Sequence, residues 1–469
     1  SLVRSKRRKD ITNSSGTLMN EHLTDIVNRL ASQITEQEGR DRKRNGDAQA
    51  HFIHGIEHLI IQLWKGTKIH EGFEGGVNKR AGWYSENSRY RDPNLTYKQT
   101  VAAYEGLIKL GLVQETQRGY FNRETLEGSI TRFAANDELL SIFSDIKEDP
   151  FKAIQPDLSS ESIILRDKID GKKQQIDYLD TPGVKEMRNN LLLINKCLKA
   201  HFPDIRIRDD DWLPLQKRIM ADPKKQPIDL TRRKLVRIFS EGRFDRGGRF
   251  YRGWWENVPS EYRKYITIDG KRTNEYDYSQ LNPHMVYMLR EKELGSEDAY
   301  GRVFDGEHRD LVKEAFNAMV QSATPLLKEP TDIDLSEVDF DWPFLRQAIL
   351  DAHKPIQDMF FKGHGNYLQY IDSVMAEDIM LKFVKSEFVP VLPVHDSFIV
   401  HYGHGELGEL EEDMRRAFHG HFKKDIKVKE EIGVMLPSSF DGKDWHELTF
   451  EEQVHGPPEY SDWERRNAS

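Results

Sequence analysis

Cysteine is nearly absent: Cys197 is the single one in 469 residues. An internal disulfide framework is therefore excluded, and no Cys/His cluster has the spacing of a zinc site. Long apolar runs are missing as well. None approaches the ~20 residues that cross a bilayer, and the opening SLVRSKRRKD has no apolar segment that could serve as a secretory signal. The expectation is a protein of a reducing compartment, cytoplasmic (nucleoid-associated or phage-encoded) or organellar, not secreted and with no membrane partner. Internal repeats and low-complexity tracts are lacking too. So is an overall positive charge, the formal net value being −9, but phosphate binding depends on local rather than total charge.

What is present is an ordinary globular composition, 37% hydrophobic and 31% charged. Such a chain can bury sizeable cores, and its length suggests about two to four domains. Its charge is unevenly spread. Arg232 to Arg252 carries eight basic residues against two acidic ones, with Phe239, Phe244, Phe250 and Tyr251 interleaved, whereas Asp441 to the end carries eight acidic against three basic. The first stretch can grip phosphates, and the second would be repelled by them.

Residues 1–45 read as a basic flexible arm ending in RDRKR at 40–44. HFIHGIEHLIIQLWKG, from His51, has helical apolar spacing and is expected to stop at Gly66. NLTYKQTVAAYEGLIKLG reads as a helix capped by Thr96, with Gln99 completing a capping box and Gly111 ending it. LVQET and SITRFA follow as two strands, so residues 46–143 have the outline of a winged-helix-like domain. Its functional reading is duplex binding, and its bland one is a small packing unit. Residues 144–162 are polar and proline-bearing and read as a linker. Beyond it Thr181 caps a helix with Pro182 in its first turn, and Val184, Met187, Leu191, Ile194 and Leu198 form an apolar stripe that is core.

Two distant segments carry the chemistry. ITIDGKRTNEYDYSQ predicts a strand, a turn at Asp269-Gly270 and a second strand that delivers Asp277 to its end. VPVLPVHDSFIVHYG places His395-Asp396-Ser397 at what reads as a hairpin tip between β-rich halves. Alone, either aspartate is more often a cap or a turn residue. Together, aspartates from different strands can hold two Mg²⁺ ions ~4 Å apart. Between them, a helix beginning near Glu307 projects Arg309 and Lys313 from one face, with Asn317 and Gln321 continuing at the same interval. Arg by its fork and Lys as a point charge suit a triphosphate. Trp254 and Trp255 can stack on bases, but paired tryptophans after a glycine-rich loop are more often core.

These motifs resemble a family. DYSQL at 277–281 looks like the first catalytic motif of family A DNA polymerases, the Arg309/Lys313 helix like their fingers helix, and HDS at 395–397 like the third motif of single-subunit phage and mitochondrial RNA polymerases. Asp245 to Tyr251, DRGGRFY, is similar to the D-x-x-G-R-x-Y loop of those RNA polymerases, and LQYIDSVMAEDIMLKFVKS to the helix before the third motif. The order agrees throughout, over roughly Arg232 to Tyr402.

The resemblance implies an α+β fold: a right-hand palm with an antiparallel sheet, a thumb-like region over 163–240, palm and compact fingers over 241–440, and an acidic tail over 441–469. It implies that Asp277 and Asp396 bind two Mg²⁺ ions, which Mn²⁺ could replace, and that His395 sits near the primer terminus. Arg309 and Lys313 would bind triphosphate, with Gln321, Asn282 and Tyr278 around the incoming nucleotide. Arg249, with Arg246, Gly248 and Tyr251 of the same loop, would hold template or primer. Two departures stand out. Asn282 replaces the glutamate five residues after the metal aspartate, and Gln321 replaces the tyrosine twelve residues after the motif arginine. The missing glutamate, the loop and HDS lean toward ribonucleotides, while DYSQ leans toward deoxyribonucleotides.

The expected function is template-directed nucleotidyl transfer, primase-like RNA synthesis on DNA being favoured over DNA synthesis. Partners would be a DNA template and primer, with RNA as a further one, NTPs or dNTPs, and an accessory protein for initiation. Two alternatives are template-independent terminal transfer and a DNA-binding replication or transcription factor with a relic palm.

Overall fold

The computed structural model describes residues 16–18, 21–39, 41–86, 88–122, 127–207, 209–295, 297–406 and 408–433. The basic residues 1–15, Arg40 and the acidic tail over 441–469 lie outside these.

An N-terminal unit is built on α1 (Glu21–Glu38), α2 (Gly46–Ile69), β1 (Gly75–Val77), α3 (Tyr97–Lys109), β2 (Val113–Gln117) and β3 (Thr131–Ala135), the strands ordered β1-β3-β2. The amphipathic face of α1 buries Leu23, Ile26, Val27, Leu30 and Ile34, so much of the expected flexible arm is packed helix. α2 runs through Gly66 rather than stopping there. Its missing Cβ is a packing device, since one would lie 2.1 Å from the Phe73 ring. α3 starts after Thr96 as expected, but no capping box forms, because Gln99 Oε1 accepts from Arg44 Nε at 3.1 Å. The helix ends before Gly111, whose φ of 73° suits glycine. The segment read as a linker is partly ordered into a short helix, Pro150–Ala153, and a strand, Ile154–Pro156, with Phe151 and Ile154 buried.

A four-stranded sheet follows. It comprises β4 (Ile163–Ile169) and β5 (Lys172–Gln175), then, after α4 (Pro182–Ala200) and β6 (Pro203–Ile205), β7 (Val236–Ser240) and β8 (Arg243–Tyr251), in the order β8-β7-β4-β5. β7 and β4 run parallel while the other pairs are antiparallel. α4 begins as predicted, with Thr181 accepting from the Val184 N–H, and buries Val184, Leu191, Ile194 and Leu198.

The third layer contains β9 (Ile266–Ile268), β10 (Lys271–Tyr278), α5 (Arg309–Gln321), α6 (Gly365–Glu387), β11 (Leu392–Val394), β12 (Ser397–His401) and β13 (Val428–Ile432). Its strands are ordered β6-β9-β10-β12-β11, with β13 also paired to β10, all antiparallel. The chain is thus α+β with mainly antiparallel sheets. One apolar cluster serves the N-terminal unit and another joins the remaining two layers. Trp254 and Trp255 are fully buried in the latter, and Trp255 Nε1 donates to Pro393 O at 3.0 Å, so the paired tryptophans are core.

Candidate active site

β10 is flanked by β12 and β13, and its alternation sends Glu275 and Asp277 to one face and Tyr276 and Tyr278 to the other. The register sets Ser397 opposite Asp277 on one side and Lys429 on the other. β11 and β12 are joined by His395 and Asp396 alone, Val394 pairing with Ser397. His395 has a positive φ of 56°, as the first central residue of a two-residue hairpin turn does. Asp396 is thereby delivered one residue from the position across from Asp277. Burial and the Asp396 carboxylate push Asp277 up to about 7, while Lys313 pulls the other way.

Glu275, on the same face, is already satisfied. Arg263 grips both of its oxygens at 2.8–3.1 Å, and Ser397 Oγ donates to it at 2.7 Å. Asp277 and Asp396 remain as two hard oxygen donors, and burial, then the Asp396 charge, favours the protonated form of Asp277. Such a donor set is short of positive charge and fits a hard divalent cation, Mg²⁺ or Mn²⁺.

The helix α5 buries Val312, Ala315, Phe316, Met319 and Val320 and leaves Lys313 and Gln321 exposed. Lys313 acts on Asp277 through its charge. One turn earlier, Arg309 Nε lies 2.5 Å from Asp298 Oδ2, and its guanidinium is 5.3 Å from the centre of the Tyr300 ring. One turn later, Asn317 Oδ1 accepts from Asn282 Nδ2 at 3.0 Å. Gln321 ends the helix and lines a small cleft with Arg249, Asn282 and Asn317.

Arg249 reaches the site from β8. Its Nε donates to Asp372 Oδ2 of α6 at 2.6 Å. Burial and Asp396 raise Asp372 to about 6 against the pull of Arg249. His395 is exposed by area, yet the protein packed around its ring, then Arg249, holds the imidazole below its ordinary value and favours the neutral form. Gly248 lets β8 lie against α6, because a Cβ there would sit 2.6 Å from the Phe239 ring and 3.0 Å from Ser373 Oγ.

Some expected site residues lie elsewhere. Tyr278, expected beside the nucleotide, is on the buried face of β10 and donates its hydroxyl to Met414 O at 2.6 Å; strand alternation turns it away from Asp277. Arg246 lies over the Tyr367 ring, 5.0 Å from its centroid, and 3.3 Å from Asp245, away from the cleft. Tyr251 does not line this cleft but a larger cavity that adjoins it through Gln321 and Gln369. Conversely, Asp372, Glu275 and Lys429 were missed. Asp372 had a signal, an acidic residue among the apolar positions of a long helix. Lys429 had none, since only strand pairing brings it to Asp277.

A match among solved structures is the POL domain of Pol1 from M. smegmatis in complex with DNA primer-template and dNTP. It is 14% identical with a TM-score of 0.31, and covers 53% of this chain and 51% of that one. The match thus spans about half of each chain and is too distant to carry an argument. No family model and no curated protein matches.

Proposed function

We propose that this protein is a template-directed nucleotidyltransferase with a palm-like sheet, extending a nucleic-acid strand from NTPs or dNTPs. The observation that supports this most is the approach of Asp277, at the end of β10, and Asp396, in the turn before the neighbouring β12, with the charge of Lys313 from α5 acting on Asp277. Asp277 and Asp396 would hold Mg²⁺ or Mn²⁺, which when bound supplies Lewis-acid activation of a 3′-hydroxyl and of the attacked phosphate. Lys313 neutralises charge on the triphosphate, and Arg309, oriented by Asp298, takes its outer oxygens. Asn282, fixed by Asn317, stands where a carboxylate would crowd a 2′-hydroxyl, which favours ribonucleotides. The neutral His395 can accept or donate a hydrogen bond at the strand terminus. The N-terminal unit sets its β1-β3-β2 sheet against α2 and α3; in this reading it acts as a winged helix and docks duplex DNA, alone or with an accessory protein.

The test is extension of a labelled primer on DNA and on RNA templates, with rNTPs and dNTPs supplied separately. Mg²⁺-dependent extension that Asp277→Asn abolishes is the expected result, with rNTPs on DNA the preferred pair. Extension unchanged in Asp277→Asn would overturn the assignment. Addition without template would replace copying by end transfer, and DNA binding with no extension under any pair would favour the relic-factor reading.

A further inference from the structure

A cavity of about 680 Å³ lies between the N-terminal unit and the four-stranded sheet. Arg166 of β4, Arg232 and Lys234 just before β7, and Arg252 just after β8 all line it. Lys234 Nζ donates to Ser160 O and Oγ, both at 2.7 Å. The three guanidinium groups have no side-chain hydrogen bond or ion pair among the described residues. Burial, then Arg232 and Arg166, pushes Arg252 down to about 10. Arg252 also holds a left-handed backbone, φ 81°.

The acids of the cavity do not cancel this charge. Glu161 is bound by Arg188 at 2.9 and 3.1 Å, and Asp157 accepts from Ser159 Oγ at 2.6 Å. Burial raises Glu256 to about 8, so it is mostly neutral at pH 7. Asp229 and Glu256 act on Arg232 only through their charge, and Asp229 is itself bound by Lys65 at 2.7 Å. Like charges gathered without a side-chain hydrogen bond in a concave, half-dry space are costly, and phosphates would relieve them.

Size and position narrow the ligand. At about 680 Å³ the cavity falls within the ~300–1,000 Å³ of small-ligand pockets, the scale of a short stretch of one strand rather than of a duplex. Gln321 and Gln369 line both this cavity and the small cleft beside Arg249, so the two adjoin. Tyr251 offers an aromatic ring on the wall.

We infer that this cavity holds the phosphodiester backbone of a single-stranded nucleic-acid segment running to or from the carboxylate site. The identity of the ligand rests on the nucleotidyl-transfer reading; the anion site itself does not.

The test measures anisotropy of a labelled twelve-nucleotide single strand and of the matching blunt duplex, in EDTA, in the full chain carrying Asp277→Asn. Adding Arg232→Gln and Arg252→Gln should weaken single-strand binding at least tenfold and reduce its log–log salt slope by about 1.4, each phosphate that a cation neutralises on a single strand being worth ~0.7. Duplex binding should be unchanged. Arg166→Gln alone should give a smaller loss, which guards against misfolding of the double variant. Unchanged single-strand affinity in both variants, or equal losses for strand and duplex, would overturn the inference. So would tripolyphosphate binding with no strand binding, which would make this a free-polyphosphate site. Strand binding lost in the variants while no form of the enzyme extends a primer would sink the polymerase reading but leave the cavity as a single-strand site.

Discussion

Arg249 and Asp372 tie β8 to α6 by a single short charge pair, with Nε and Oδ2 2.6 Å apart and Asp372 only 1% exposed. The second carboxylate oxygen, Oδ1, is buried without a hydrogen-bond partner. Removing one member of a buried pair strands the other. Arg249→Met should therefore destabilise the fold by about 3–5 kcal/mol, read as a lower urea midpoint at unchanged slope. Asp372→Asn, which keeps the shape and removes the charge, should cost less. Equal, negligible costs would show that the pair is not structurally coupled.

Asp277 is raised to about 7 in the folded chain by burial and by Asp396, above the ~3.9 of an unfolded aspartate. Between those values the folded state binds more protons than the unfolded, so without metal this group lowers stability as pH rises from about 4 to 7. Asp277→Asn should raise the metal-free Tm at pH 8 and lose that advantage near pH 4. Mn²⁺ should raise the Tm of the natural sequence and leave Asp277→Asn unchanged, since only ligand bound to the folded state stabilises it. A Tm gain from Mn²⁺ in both proteins would remove Asp277 from the metal site.

The charge of Lys313 acts on Asp277, whereas Arg309 shares its fork with Asp298. A charge-assisted contact to phosphate is worth about 1.5–3 kcal/mol, so Lys313→Ala should cut kcat/KM for nucleotide roughly 10- to 100-fold, with partial rescue by Lys313→Arg. Asp298→Asn should mainly raise KM, because it loosens Arg309 without removing its charge. Steady-state extension kinetics with one limiting nucleotide separates the two.

His201 Nδ1 lies 2.6 Å from Asp269 Oδ2, and Nε2 lies 2.9 Å from Phe388 O. Burial works against the imidazolium, but Asp269 outweighs it and raises His201 to about 10. Because the folded value exceeds the unfolded one, near 6.5, this stability is fully present below about pH 6.5 and is lost as pH climbs toward 10. Asp269, held low mainly by His201 against burial, loses its share only in acid. His201→Gln should flatten the fall in stability between pH 6.5 and 10; an unaltered profile would mean the ring does not titrate there.

Gly248 has a φ of 82°, and an added Cβ would meet Phe239 at 2.6 Å. Gly248→Ala should cost at least the ~1–3 kcal/mol of a strained backbone. Gly111→Ala, with a φ of 73° and nothing within 4 Å, should cost less. Thermal unfolding of the two variants compares strain with clash.

Much of this was legible along the chain. Periodicity placed α4 and α5, and turn chemistry placed the Asp269-Gly270 and His395-Asp396 hairpins, because helix stripes and tight turns are written in residues a few positions apart; α6 was expected only from the family resemblance. Where glycine or a capping residue was read by local rules alone, packing overruled it: Gly66 makes room for Phe73, and Gln99 is taken by Arg44. The packed α1 was hidden behind its basic surroundings.

The sequence by itself determined which side chains could do chemistry: two aspartates at strand ends, a cationic stripe on one helix and a basic run near 232–252. Only the tertiary structure decided which of them meet. Register brought Lys429 beside Asp277 and turned Tyr278 away, and the parallel pairing of β4 with β7 put Arg166 in the cavity shared by Arg232 and Arg252. Those are contacts between residues far apart in the chain. Their energies depend on burial and on neighbouring charge, neither of which is encoded within any one segment.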